Sequence, residues 1–289
     1  MSILVTGGTG NVGSQVVREL LARGEQVRVL TRDADKAKNL PAGATPVVGD
    51  LGQVETVRRV FKGVDRVFLI NTVSPTEVQE GLLAICAMRL ESVKRLVYVS
   101  VQNADVAAWL PHFGGKVGVE EAVRKSGIPF TILRPNNFYQ NDYYFKDVML
   151  QHGVYPQPIG STGLNRVDVR DIAEAAAVAL TTSAHAGESY DLVGPEAHTG
   201  ESTAQVWSRA LGKPVVYGGD DLEAWEKQSL QYMPDWIVFD FKNMYKFFQE
   251  KGLKATAEAI ERQTRLLGHA PRSFGAFAEE TASAWRKTS

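Results

Sequence analysis

The sequence predicts an α/β protein built on a doubly wound parallel sheet, with a smaller, mostly helical carboxyl-terminal lobe. Three observations lead there. Short apolar runs alternate with helix-period segments over the first two-thirds of the chain. The runs are continuous (Val67-Phe68-Leu69-Ile70, Val97-Tyr98-Val99), as strands covered by helices on both faces require. The first run leads directly into a glycine-rich turn and a helix.

Strand Ile3–Thr6 precedes a helix over Ser14–Arg23, where Val16, Val17, Leu20 and Leu21 share one face before Gly24. Next come strand Gln26–Thr31, a short helix near Ala34–Leu40, strand Thr45–Val48, a helix over Gln53–Phe61 and strand Arg66–Ile70. A helix over Thr76–Arg89 leads to strand Leu96–Ser100, and one over Lys116–Ser126 to strand Phe130–Leu133. A helix over Asp171–Thr181 and a strand at Tyr190–Val193 complete the pattern. Beyond about residue 195 the reading is mostly helical, and Pro234 suits the first turn of a helix. Eight aromatics fall between Trp225 and Phe248: Trp225, Tyr232, Trp236, Phe239, Phe241, Tyr245, Phe247 and Phe248. The expected division is residues 1–134 with 166–194 as the sheet domain. Residues 135–165 with 195–289 then form a cap lobe closing over the carboxyl ends of the strands, where open α/β sheets bind ligands.

Composition narrows the function classes. The 289 residues carry 32 Lys+Arg against 33 Asp+Glu, a net charge of −1. That balance offers no electrostatic case for nucleic acid or an anionic membrane surface. No apolar segment approaches a membrane span, and Met1-Ser2 runs into the first strand without a basic leader, so a cytoplasmic protein is expected. The lone Cys86 excludes an internal disulfide; among Leu82, Leu83, Ile85 and Ala87 it reads as core. The five histidines are scattered without paired ligands, so no metal is expected, and neither a G-x-S-x-G elbow nor a lysine-ended phosphate loop occurs.

The turn after the first strand reads Gly7-Gly8-Thr9-Gly10-Asn11-Val12-Gly13, with glycines at 7, 10 and 13. Gly7 permits the tight turn and Gly10 a close approach of backbone to a pyrophosphate. Gly13 lets the helix pack near the strand with its N–H groups, Thr9 to Gly13 included, aimed at phosphates. The end of the second strand selects the nucleotide. NAD binders place a carboxylate there for the ribose 2′-OH, whereas this chain reads Leu30-Thr31-Arg32-Asp33 with Lys36 close behind. A guanidinium can hold a 2′-phosphate, so NADP is favoured, with NAD through Asp33 as the alternative. Asp50-Leu51 stands where an adenine edge would lie; Asp50 either accepts from its amino group or caps the helix beginning at Gln53.

The fourth and fifth strands end in Ile70-Asn71-Thr72 and Val99-Ser100-Val101-Gln102, polar groups expected beside the nicotinamide. Downstream, Pro111-His112-Phe113-Gly114-Gly115-Lys116 enters a helix, placing His112 and Lys116 on one face. Gly114 and Gly115 imply that something approaches the helix backbone closely. The Lys116 ammonium can donate to ribose hydroxyls. His112 is either a proton donor or a cap, and Ser100 either a donor or a strand-end turn residue. Asn136, beyond the sixth strand, is a cofactor candidate. Asn137, Phe138, Tyr139, Trp225 and Trp236 are candidate walls of an apolar pocket for a planar substrate.

These residues carry a resemblance. Strand–GGTGNVG–helix, the lysine heading the helix after strand five, and Ile132-Leu133-Arg134-Pro135-Asn136 with Phe138 resemble the NmrA-like branch of the atypical short-chain dehydrogenase/reductases. Val167-Asp168-Val169-Arg170-Asp171-Ile172-Ala173 and Leu266-Leu267-Gly268-His269 match as well, so the likeness runs from about residue 3 to about 280. The resemblance implies a Rossmann-like domain binding NADP(H), with Ser100 and Lys116 at the places of the catalytic serine and lysine. The tyrosine four residues before that lysine is replaced by His112. The branch holds working reductases of quinones and similar electrophiles alongside members that only sense NADPH and control other proteins, and His-Phe-x-Gly-Lys resembles the latter. The favoured expectation is an NADPH-dependent oxidoreductase for a quinone-like or aromatic carbonyl compound, monomeric or homodimeric, with Lys116, His112 and Ser100 catalytic. The alternative is a non-catalytic NADP(H) sensor that docks a partner protein.

Overall fold

The computed structural model describes residues 2–287. The chain divides into two compact units, Met1–Pro135 with Val169–Asp191, and Asn136–Asp168 with Leu192–Ser289.

The first unit carries the sheet. Its strands β1 (Ser2–Val5), β2 (Gln26–Thr31), β3 (Ala44–Val48), β4 (Arg66–Leu69), β5 (Arg95–Val99) and β6 (Phe130–Pro135) pair in parallel, with β8 (Glu188–Leu192) beyond β6. The order β3-β2-β1-β4-β5-β6-β8 reverses direction at β1, so the turns leaving β1 and β4 flank the crevice where doubly wound sheets take ligands. The register sets Val5 between Val29 and Phe68. One face of the sheet is covered by α3 (Val54–Val60), α4 (Glu77–Leu90) and α5 (Pro111–Lys125), closing a core of Leu4, Phe61, Val67, Met88, Leu96, Val123 and Ile132. The other face is covered by α1 (Asn11–Ala22) and α7 (Val169–Thr181), which pack on each other. The short α2 (Ala34–Ala37) links β2 to β3.

One strand lies at the sheet's edge, and one expectation needs correction. Strand β3 is an edge strand with Thr45, Pro46 and Val48 exposed; a proline that cannot donate to a ladder is tolerated there. Cys86, read as core, is exposed. Helix α4 is apolar on both sides, so hydrophobic spacing could not say which side meets the sheet. It is Gly81, Ala84, Ile85 and Met88 that are buried.

The second unit begins with a 3-10 turn (Tyr139–Phe145) and α6 (Lys146–His152), and pairs β7 (Val154–Tyr155) with β9 (Val216–Tyr217). Its helices are α8 (Gly200–Leu211), α9 (Leu222–Ser229), α10 (Asp235–Lys251), α11 (Ala257–Leu267) and α12 (Phe274–Lys287). Helix α8 starts in a reciprocal Thr199–Ser202 capping box and stops at Gly212, φ +68°. No described helix is long and apolar enough to cross a membrane.

The centre of this unit is an ion pair. Arg166 and Asp142 are both fully buried, joined Nη2–Oδ1 at 2.6 Å and Nη1–Oδ2 at 3.1 Å. Asp142 also accepts from Trp207 Nε1 at 2.9 Å, and the guanidinium lies 5.0 Å from the Phe274 ring. Trp207 stacks on Trp285 with 5.1 Å between centroids. Burial works to lower the Arg166 pKa, but Asp142 outweighs it and raises that pKa above its ordinary value. Burial likewise pushes the Tyr155 hydroxyl up and Tyr245 to about 12, so both stay protonated; Tyr155 donates to Gln157 Oε1 at 2.7 Å, and the Tyr245 hydroxyl accepts from Gln157 Nε2 at 3.3 Å.

Removing one partner of such a pair leaves a buried charge uncompensated. Asp142→Ala is therefore expected to cost about 3–5 kcal/mol in urea unfolding, and Asp142→Leu combined with Arg166→Met to recover most of that loss. A double variant no more stable than Asp142→Ala would show that the pair itself carries the stability.

Candidate functional site

The turn leaving β1 is shaped by what its glycines lack. Gly7 sits at φ +60°, and a Cβ there would stand 2.7 Å from Ile70 Cγ2. The Gly10 N–H donates to the Gly7 carbonyl at 2.9 Å and closes the loop. A Cβ on Gly13 would fall 2.2 Å from the Gly7 oxygen and 2.8 Å from Gly8 Cα, so the first turn of α1 lies directly on the loop. Helix α1 begins at Gly10 with no side-chain cap, leaving its first N–H groups and positive dipole end for a ligand. Thr9 and Asn11 are exposed at this rim. Val12 is buried and contributes only backbone here. The Thr6 hydroxyl ties the loop to β4, donating to the Ile70 carbonyl and accepting from the Ile70 N–H, both at 2.8 Å.

At the end of β2 the two charged neighbours separate by role. The Asp33 carboxylate caps α2, accepting from the N–H groups of Asp35 at 2.8 Å and Lys36 at 3.3 Å. Arg32 and Lys36 are exposed. Beyond β3, Asp50 Oδ1 accepts from the Gly52 N–H at 2.8 Å, bracing the turn into α3, whose cap is Gln53. The Leu51 side chain is 6% exposed inside the sheet core, which leaves only its backbone to face a nucleotide.

The ends of β4 and β5 gather polar groups. The Asn71 amide is buried, and neither its nitrogen nor its oxygen finds a partner among the described residues. Ser100 is buried facing the Glu120 carboxylate, outside hydrogen-bond geometry, and its hydroxyl is likewise unpartnered among the described residues. Lys116, 7% exposed, meets Glu77, 5% exposed, at 2.5 Å, with the ammonium 6.0 Å from the Tyr98 ring. Sequence reasoning missed Glu77: it lies 39 residues from Lys116 in the first turn of α4, where an acid reads as dipole compensation. It missed Tyr98 too. Burial, then Glu77 and Glu120, push that hydroxyl well above the ordinary phenol range. Burial would push the Glu120 carboxyl up, but hydrogen bonds from its neighbours, Arg134 foremost at 2.6 and 2.8 Å, hold it below its ordinary value.

His112 and Lys116 share α5 as expected. His112 is half-buried in the first turn, edge-on to Phe113 with centroids 4.7 Å apart. The close approach implied by Gly114 and Gly115 comes from the chain itself. A Cβ on Gly114 would meet the Ala108 carbonyl at 2.3 Å, and one on Gly115 would meet Val78 at 3.0 Å.

Other candidates lie in the second unit, and several serve packing. Asn136 is 2% exposed; its amide nitrogen donates to the Leu253 carbonyl at 2.7 Å and its oxygen accepts from the Asn137 N–H. Asn137 Oδ1 accepts from Arg166 Nε at 3.2 Å, and half-buried Phe138 bridges to Val167. Tyr139 is fully buried between Phe274 and Phe277, donating to the Arg272 carbonyl at 3.1 Å. It is core and not a pocket wall. Trp225 is half-buried, edge-on to Tyr245 at 5.0 Å, whereas Trp236 is 37% and Phe239 62% exposed on α10.

Comparison with known proteins places this arrangement. The model of the NmrA-like family matches residues 1–278. The NAD(P)H azoreductase of Xenophilus azovorans is 31% identical over 98% of this chain and 99% of its own. Quinone oxidoreductase 2 of Escherichia coli (strain K12) is 29% identical over 74% of this chain and 76% of its own. Among solved structures, a Citrobacter sp. triphenylmethane reductase complexed with NADP(H) shares the fold. Its TM-score is 0.84 at 24% identity, covering 98% of this chain and all of that one.

Two outcomes are expected of the site's framework. Gly13→Ala forces a methyl into the Gly7 carbonyl and should cost about 1–3 kcal/mol in urea unfolding, as overpacking does; an unchanged midpoint would mean that α1 does not lie against the loop. The depressed Glu120 carboxyl contributes stability that is complete above its ordinary value of 4.5 and fades as pH falls below it. Melting temperature recorded against pH should thus fall less steeply below pH 4.5 in Glu120→Gln than in the wild type.

Proposed function

The chain belongs to the NmrA-like family, and from that premise we propose that it is an NADPH-dependent oxidoreductase acting on quinone-like or other aromatic electrophiles. The observation that carries this reading is the opening turn. A glycine at φ +60°, a second closing the loop and a third lying on it present an uncapped helix start, the arrangement that receives a pyrophosphate. The fit to a dinucleotide rests on a second feature as well. The Asn71 amide and Ser100 hydroxyl are buried at the strand ends with no partner among the described residues, and such groups are rarely left unpaired in a working protein.

The residues divide the work. Gly7 and Gly10 shape the turn, the Gly10 N–H closing it on the Gly7 carbonyl, and Thr9, Asn11, Val12 and Gly13 offer backbone N–H groups to the diphosphate. Arg32, with Lys36 behind it, meets a 2′-phosphate; Asp33, the one carboxylate that could instead read a ribose 2′-OH, is engaged in capping α2. An ammonium has three N–H groups, so the Glu77 pair fixes Lys116 and leaves it capacity to donate to ribose hydroxyls. Asn71 and Ser100 supply fixed dipoles to the reacting end, and half-buried His112 holds the proton that completes reduction. When bound, the reduced nicotinamide supplies the hydride. The substrate class draws on the azoreductase and quinone oxidoreductase among the relatives. One observation favours a regulator that binds NADP(H) without turnover. His112 stands four residues before the lysine, where the family's enzymes of classical type carry tyrosine.

The test joins titration calorimetry with turnover. Wild type should bind NADPH more tightly than NADH, and Arg32→Ala should lose at least tenfold, about 1.4 kcal/mol, more affinity for NADPH than for NADH. With quinones and azo dyes, loss of reduced-nicotinamide absorbance should be rapid in the wild type and strongly slowed in Lys116→Ala and His112→Phe. Tight NADPH binding without oxidation by any acceptor selects the regulator, and no binding of either dinucleotide removes both readings.

A further inference from the structure

Ser100 ends β5 beside Arg134 of β6. The register pairs Val99 with Leu133, and the Ser100 N–H donates to the Leu133 carbonyl at 2.8 Å. The side chains of Ser100 and Arg134 therefore leave neighbouring strands on one face of the sheet. Helix α5 lies on that face and presents Glu120, 1% exposed, one turn beyond Lys116.

The Glu120 carboxylate is held by two guanidiniums. Its Oε1 accepts from Arg134 Nε at 2.8 Å, and its Oε2 from Arg134 Nη2 and Arg124 Nη2, both at 2.6 Å. A carboxylate has about four acceptor positions, so capacity for a further hydrogen bond remains. Ser100 is the hydroxyl that faces it, 3% exposed and without a partner among the described residues. Both guanidiniums can only donate, so neither offers the Ser100 proton an acceptor. An ionised acceptor, moreover, holds a donor about twice as strongly as a neutral one. A turn of the hydroxyl brings its proton onto Glu120.

That commitment decides what Ser100 can do. A serine hydroxyl has one proton and two lone pairs. Once the proton is spent on Glu120, only lone pairs remain for a ligand at the strand ends. The nicotinamide of a dinucleotide carries a carboxamide whose NH2 group needs an acceptor. We propose that, in a chain binding NADP(H) as above, Glu120 is a positioning residue that takes the Ser100 proton, so that Ser100 Oγ accepts from the carboxamide NH2 and does not donate to the substrate. Donation to a substrate oxygen then falls to Asn71, whose amide brings two N–H groups, and to His112.

Neutron diffraction from the free protein exchanged into heavy water examines the first half without any cofactor. The Ser100 deuteron should point at the Glu120 carboxylate; one turned toward the end of β4 overturns the proposal. Titration calorimetry examines the second half, using oxidised NADP and its 3-acetylpyridine analogue, in which a methyl replaces the NH2. Wild type should bind NADP about tenfold more tightly, the worth of one good hydrogen bond. Ser100→Ala should bind the two alike. Glu120→Gln should lose most of the preference, because its amide NH2 would donate to Ser100 and free the hydroxyl proton. A merely structural role would weaken both dinucleotides together and leave their ratio untouched. Ser100→Ala decides the matter even if Glu120→Gln fails to fold. A ratio unchanged in Ser100→Ala overturns this assignment alone, since NADP still binds; failure of wild type to bind either dinucleotide overturns the proposed function and this assignment with it.

Discussion

The contact between Gly13 and the Gly7 carbonyl is the constraint on which the first unit turns. With no Cβ at residue 13 the opening of α1 rests on the loop; with one, it would sit 2.2 Å from an oxygen and α1 would have to move. That contact directs the uncapped helix start at the crevice between β1 and β4, while the Thr6 hydroxyl locks the same loop to Ile70. The site's polar groups follow from strand order. Once β1 lies next to β4, and β4 next to β5, the ends carrying Asn71 and Ser100 become neighbours of the glycine turn.

Buried charge is the second theme, and it serves geometry more than stability. Lys116 with Glu77, Glu120 with Arg134 and Arg124, and Arg166 with Asp142 each take ions out of water, at a desolvation cost that the pairing roughly offsets. What each pair gains is a fixed position. Glu77 holds an ammonium that would otherwise swing on four methylenes, and Arg166 gathers the 3-10 turn, Tyr155 and Phe274 around one guanidinium.

Much of the first unit could be read from residue order because its signals are local. The strand–Gly7–Gly13–helix unit, the alternation of strands and helices, and the shared face of His112 and Lys116 depend only on neighbours within a turn or two. The errors have a common cause. Cys86 lies on a helix apolar all round, so burial depended on which side the sheet chose. Tyr139 follows a strand at a polar-looking turn, yet folding carries it into a core, where it packs on Phe274. The lobe was legible as helical and aromatic-rich, but its centre, Arg166 with Asp142, carried no spacing signal.

By itself, then, the order of residues determined the parallel sheet, the glycine turn after its first strand and the cation that follows the second, since each is a matter of backbone freedom and residue order over short stretches. Only the tertiary structure decided that Asp33 caps a helix, that Glu77 is Lys116's partner, that Asn71 and Ser100 are left wanting hydrogen bonds, and that α4 turns Cys86 to water. Those facts rest on groups tens of residues apart meeting in space, where desolvation and packing, not local propensity, set the outcome.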